Sequence, residues 1–298
     1  MQNNYHRIFQ ASLLVAISGI LYGFLGFLGT GILRENISIN DMLFWRFIIA
    51  GVWMVFFVVK QAPSDPEQNF FDKRILLPMF LLGAVGYAGS SAFYFLASQY
   101  TGTGLAMVIF FSYPIIIALS SWIIQKKRLK MGIILSLTAM MVGLILLRDT
   151  STHPINIIGI FFGLIAASCY AFYVVGSKHI ASYTINANIL TTIVCFGCAS
   201  IFLILSIVSH SFVLPQTIKS WLYLLALGIF ATALPIQLML KGLKYISSMR
   251  ASIISVLEPL VTMFVGVILL EESISHLQLI GVVIILGSAL LVQFQKEL

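Results

Sequence analysis

The stretches Ile8–Leu33 and Ile75–Gln125 contain no Asp, Glu, Lys or Arg. Few folds tolerate such runs. A helix needs about 20 apolar residues to cross a bilayer core of about 30 Å, and the second stretch has room for two crossings. Across the chain, 60% of residues are apolar and 9% are charged, against about 45–50% and about 25% in soluble domains. A water-soluble enzyme is excluded, and a polytopic membrane protein is implied.

Reading between the charges gives ten spans: 11–33, 42–60, 75–98, 102–124, 131–147, 156–177, 187–209, 220–240, 247–270 and 277–294. Each must be helical, because lipid offers no partner for open backbone groups. A spanning β-barrel would need short alternating segments, and these runs do not alternate. The first stretch is too long for a signal-peptide core and lacks a small-x-small cleavage site, so it is expected to stay as a helix.

Loop charges predict the orientation. With ten spans, both termini share a side with loops 2–3, 4–5, 6–7 and 8–9. That side holds 13 of the 17 Lys and Arg, including Lys126-Lys127-Arg128 and Lys241, Lys244 and Arg250. The other side holds 3, namely Arg34, Arg148 and Lys219, while Arg46 lies within a span. By the positive-inside rule both termini are expected in the cytoplasm. The net charge of +7 therefore reflects membrane orientation, and no basic domain is present to bind nucleic acid.

The chain also repeats itself weakly. A shift of 145 pairs Gly83 with Gly228, Tyr100 with Tyr245 and Pro114 with Pro259, and a shift of 148 pairs Tyr22 with Tyr170 and Phe24 with Phe172. The predicted units are 1–148 and 149–298, each with five spans. An odd number puts them in opposite orientations. Lys126-Lys127-Arg128 after span 4 and Glu271-Glu272-Ser273 after span 9 carry the opposite charges that an inverted copy requires. Inverted repeats are the architecture of many secondary transporters, with the substrate site near the midplane between them.

Several short motifs fall at fixed places on these spans. They are Phe44-Trp45-Arg46-Phe47, Tyr113-Pro114, Leu257-Glu258-Pro259-Leu260 and Leu269-Leu270-Glu271-Glu272. With them the chain, from about Ala11 to Val292, resembles the ten-helix, EamA-type members of the drug/metabolite transporter superfamily. The resemblance implies outward transport of a small metabolite, often an amino acid, across the plasma membrane.

Glu258 is the sharpest candidate for function. It sits mid-span, where a carboxyl is costly unless paired, hydrated or protonated, and is therefore a candidate for proton coupling. Pro259 removes a backbone donor, so the carbonyl of Ser255 is expected to be freed and the helix locally broken. Ala251, Ser255, Glu258 and Thr262 would share one face of a continuous helix. Pro114 marks the equivalent break in the first repeat, with Tyr113 in place of the acid.

Arg46 has two readings: snorkelling to the interface, or facing the cavity to bind a carboxylate or pair with Glu258. With Arg46, Ser255 and Glu258, the residues Tyr22, Tyr87, Ser91, Tyr94, Tyr113, Tyr170 and Tyr173 complete the candidate substrate-binding set, the tyrosines as aromatic surface with polar tips. Tyr100 and Tyr245 read as interfacial belt residues. Gln237 and Lys241 are further cavity or gate candidates. Gly19-x-x-x-Gly23, Gly159-x-x-x-Gly163 and Cys195-Phe196-Gly197-Cys198 read as close helix packing.

The five His residues fall in loops or at span ends, and no Asp is expected within a span. No metal site, catalytic constellation or phosphate-binding loop is predicted, and no cofactor. The expectation is a secondary active transporter of a small polar or amphipathic metabolite, an amino acid favoured, working by alternating access. Expected partners are that small molecule, membrane lipids and a proton as coupling ion, with the chain a monomer or homodimer. A passive facilitator, or a membrane enzyme acting on a lipid-linked substrate, are the alternatives.

Overall fold

The computed structural model describes residues 2–61, 73–123, 126, 130–147, 156–181, 186–270 and 275–293. Among these the regular structure is entirely helical. Span 1 is α1 (Gln2–Tyr22) followed by α2 (Leu25–Leu33), and span 2 is α3 (Ile39–Gln61). Span 3 begins as α4 (Lys73–Leu81), passes through a π-helical turn (Leu82–Tyr87) and continues as α5 (Ala88–Phe110). The helical run Ile75–Phe110 has 36 residues. At about 1.5 Å per residue it would far exceed one bilayer core, and it is broken at Gly102 (φ 75°, ψ 158°). Only glycine adopts that backbone freely. Span 4 is the rest of α5 plus α6 (Tyr113–Ile123).

Spans 5, 6 and 7 are α7 (Met131–Leu147), α8 (Ile157–Ala181) and α9 (Ala187–Val208). Span 8 is α10 (Ile218–Gly228), a second π-helical turn (Ile229–Ala233) and α11 (Leu234–Leu243). Span 9 is α12 (Ser248–Ile254) and α13 (Leu257–Leu270), and span 10 is α14 (His276–Gln293). Side-chain caps start several of these helices: Thr217 accepts from Ser220 N, and Ser247 accepts from Arg250 N. The outer surface is apolar, with Phe56, Ile157 and Ile268 more than half exposed, as a lipid-facing surface requires.

The interruptions of the helices recur at the same spacing as the weak sequence repeat. The two π-turns, 82–87 and 229–233, overlap under a shift of 145. Under that shift Gly102, which breaks α5, falls on Ser247, which caps α12, and the turn at 111–112 falls beside the turn at 255–256. Packing follows the same symmetry. α3 lies along α9, and α7 along α14; α1 lies along α11, as α8 lies along the π-turn and α5. Gly83 comes so close to Val194 that a Cβ there would be 2.5 Å from the Val194 carbonyl oxygen. At its equivalent, Gly228, a Cβ would be 2.7 Å from the Ile49 side chain and 3.1 Å from the Arg46 carbonyl oxygen.

Loop contacts fix which segments share a side. Trp45 Nε1 donates to Val213 O at 3.3 Å, and Glu35 pairs with Lys219 at 2.9 Å, so loops 1–2 and 7–8 meet on one face. On the other, Lys178 Nζ donates to Leu243 O at 2.7 Å, joining loops 6–7 and 8–9. Of the charge contrast between repeats, Lys127, Arg128, Glu271 and Glu272 lie outside the described residues. Asp41, expected just outside span 2, instead lies in the first turn of α3 and is 0% exposed. Ser206 on α9 donates to one oxygen of its carboxyl, while the other, Oδ2, is buried without a partner among the described residues.

Candidate substrate site

A cavity of about 950 Å³ lies between the repeats. Its lining runs from Tyr22, Arg46, Tyr87 and Glu258 out to Leu33, Thr103, Leu147 and Gln278. Those outer positions are the ends of helices that lead into loops 1–2, 3–4, 5–6 and 9–10, so the cavity extends to that side. On the opposite side, Tyr113, Met249, Arg250, Ser252 and Ser255 are all buried. The asymmetry separates equivalent segments: Thr103 and Gly104 are exposed, whereas their counterparts Ser248 and Met249 are half-buried and buried.

Arg46 does not snorkel. It is 3% exposed and belongs to the cavity wall. Its Nε donates to Thr232 Oγ1 at 2.7 Å and its Nη2 donates to the Tyr87 hydroxyl at 3.4 Å. Thr232 in turn donates to Leu227 O at 2.8 Å, five residues back across the second π-turn. Tyr87 closes the first π-turn and donates to the Tyr22 hydroxyl at 3.0 Å. Each bulge therefore supplies one hydroxyl to one guanidinium. Of the five N–H groups of arginine, the two on Nη1 make no hydrogen bond among the described residues, and they remain available to a planar anion.

Glu258 lies across the break in span 9, at the start of α13, and is partly exposed to the same cavity. Among the described residues its carboxyl has neither a hydrogen-bond partner nor an ion pair, so the direct Arg46–Glu258 pair considered above is not formed. The expected open carbonyl of Ser255 is also not found. The chain tightens at Ser255-Val256, and Glu258 N donates to Ser255 O at 3.0 Å, which satisfies it. That turn also divides the anticipated polar stripe. Ala251 and Ser255 are buried, while Glu258 and Thr262 reach the cavity, because a common face requires an unbroken helix.

Tyr22, Tyr87, Ser91, Tyr94 and Tyr170 line the cavity with Arg46, Glu258 and Pro259. Tyr113, Tyr173 and Ser255 stand behind that wall. The Tyr113 ring centroid lies 4.7 Å from that of Tyr170 and its hydroxyl donates to Ser252 O at 3.3 Å. Tyr173 packs edge-on to Tyr87 at 4.9 Å, and the Ser255 hydroxyl donates to Ala251 O at 3.0 Å. Pro114 is buried at the start of α6. Gln237 is turned away from the cavity and donates to Asn188. Gly23 and Gly163 are contact points: a Cβ on either would fall within 2.7 Å of Val261 or Ile109 respectively.

Thr232 is the functional candidate that sequence reasoning missed. A lone threonine among apolar residues carries no signal of its own. The 145-residue shift would have paired it with Tyr87.

Three comparisons place this architecture. Residues 10–148 and 157–294 each match the model of the EamA-like transporter family. The chain is 26% identical over 291 residues to an uncharacterized inner membrane transporter, YicL, of Salmonella typhimurium, covering 95% of both proteins. It is 28% identical over 201 residues to an uncharacterized transporter of Archaeoglobus fulgidus, covering 67% of this chain and 70% of that one. A solved crystal structure matches with a TM-score of 0.78 at 19% identity, covering 94% of this chain and 95% of the other, and so shares the fold.

Proposed function

Because this chain belongs to the EamA-like transporter family, we propose that it is a secondary active transporter of a small amphipathic metabolite, with an amino acid as the favoured substrate. The supporting observation is the cavity itself, which holds one partly committed guanidinium and one unpaired carboxyl within an aromatic wall. Arg46 would take a carboxylate through its free N–H groups. Glu258 would face the ammonium group or carry a proton in its place, and the tyrosine and phenylalanine rings would receive the side chain.

In this reading the division between repeats falls at 148/149, both termini are cytoplasmic, and the side reached by the cavity is the outside. Alternating access then consists of the two inverted units exchanging arrangements around the midplane site. Proton coupling and export complete the proposal. Proteoliposomes preloaded with each common L-amino acid test it, assayed with and without a pH gradient. Saturable counterflow of at least one amino acid supports carrier transport. Non-saturable flux would indicate a channel, and no flux of any would reject the amino-acid reading.

A further inference from the structure

Thr232 and Tyr87 are 145 positions apart, in the two π-turns, and both hydrogen-bond Arg46. From this geometry we infer that Thr232 is a positioning residue for the substrate's anionic group: with Tyr87 it clamps one edge of Arg46, so that Nη1 stays aimed at a carboxylate. The inference rests on the carboxylate reading of the cavity given above.

Three features carry it. First, the clamp is built into the backbone. A π-turn widens the helix locally and leaves a carbonyl in need of a donor, and here Thr232 serves Leu227 O and Arg46 Nε together. A hydroxyl fits this role because it donates once while still accepting. Second, the clamp is buried. Thr232 is 0% exposed and Arg46 3% exposed, so water does not compete for the Nε–H. Third, the clamp is symmetric in chemistry although the chain is not. The equivalent positions are both hydroxyl residues, one from each repeat, so when the repeats exchange arrangements the guanidinium keeps an acceptor from each repeat on its clamped edge. An anion-binding group held in this way would serve the cavity in either orientation.

The test uses the full-length protein in nanodiscs and proteoliposomes, with Thr232→Val to remove the hydroxyl at constant shape and Thr232→Ser to keep it. In protein labelled with 15N-arginine, the Arg46 Nε–H should exchange with water at least about tenfold faster in Thr232→Val and near the wild-type rate in Thr232→Ser. The transport probes are the common L-amino acids and their methyl esters, which lack the carboxylate. Thr232→Val should raise KM for the carried acid roughly tenfold at unchanged maximal rate, leave the ester unchanged, and be rescued by Thr232→Ser. Equal effects on acid and ester, or unchanged KM despite faster exchange, would overturn the positioning role. If no amino acid is carried by the wild type, the carboxylate reading fails and this inference with it. Slow Nε–H exchange would then show that the clamp is structural only.

Discussion

Arg46 of the first repeat and Glu258 of the second line one cavity without touching. A guanidinium and a carboxyl held apart across a cavity leave room for a molecule that carries both a carboxylate and an amine. A direct pair would have satisfied itself and left little binding energy for a substrate.

The Arg46 prediction follows from its fork. Arg46→Lys keeps the charge but loses the planar donors, so KM for a carboxylate substrate should rise by roughly tenfold. Arg46→Ala should raise it further, by about a hundredfold. Initial-rate counterflow measures both, and wild-type values in both would remove Arg46 from the site.

Close packing between repeats gives a stability prediction. A Cβ on Gly83 would meet backbone atoms of Val194 at 2.5–3.0 Å, whereas one on Gly287 would meet nothing within 4 Å. Gly83→Ala should destabilise by about 1–3 kcal/mol. Gly287→Ala should be neutral or slightly stabilising, by up to about 1 kcal/mol from helix propensity. Thermal unfolding in detergent compares them, and equal Tm values would contradict the close approach.

The Glu35–Lys219 pair gives a pH prediction. Lys219 and the Thr217 hydroxyl, which donates to Glu35 at 3.0 Å, hold the Glu35 carboxyl below its usual range. A carboxyl lowered in the folded state contributes above its unfolded pKa and loses that contribution as pH falls through the folded value. The small Tm difference between wild type and Glu35→Gln should therefore be present at neutral pH. It should begin to shrink as pH falls through the ordinary Glu range, about 4.3, and vanish only below the lowered folded value. It should also shrink with salt. A difference that grows in acid would contradict the ion pair.

Membrane sidedness is tested by single cysteines. At Asn36 and His210 they should be labelled from outside only, and at Ser64, which lies outside the described residues, from the cytoplasm only. Labelling of Asn36 and Ser64 from one side would contradict the span count.

Much of this was legible in the sequence because lipid punishes charge. Charge-free runs marked the spans, and the isolated Arg46 and Glu258 stood out for the same reason. The π-turns were not legible, since one extra residue in a helical turn alters backbone register without altering residue type. Thr232 stayed hidden with them. Tyr113, Tyr173 and Ser255 have the composition of cavity residues, but the turn at 255–256 and stacking on Tyr170 and Tyr87 set them behind the wall. Asp41 lay at a span boundary, where composition does not say which side of the last turn a carboxyl falls.

The proposed role of Glu258, coupling transport to protons from within the substrate cavity, is decided by pH-gradient-driven flux through Glu258→Gln. Glutamine keeps the shape and hydrogen-bonding capacity of the acid but cannot release a proton. Gradient-driven accumulation should be abolished, while counterflow without a gradient persists. Accumulation at the wild-type rate with unchanged pH dependence would rule out Glu258 as the coupling group.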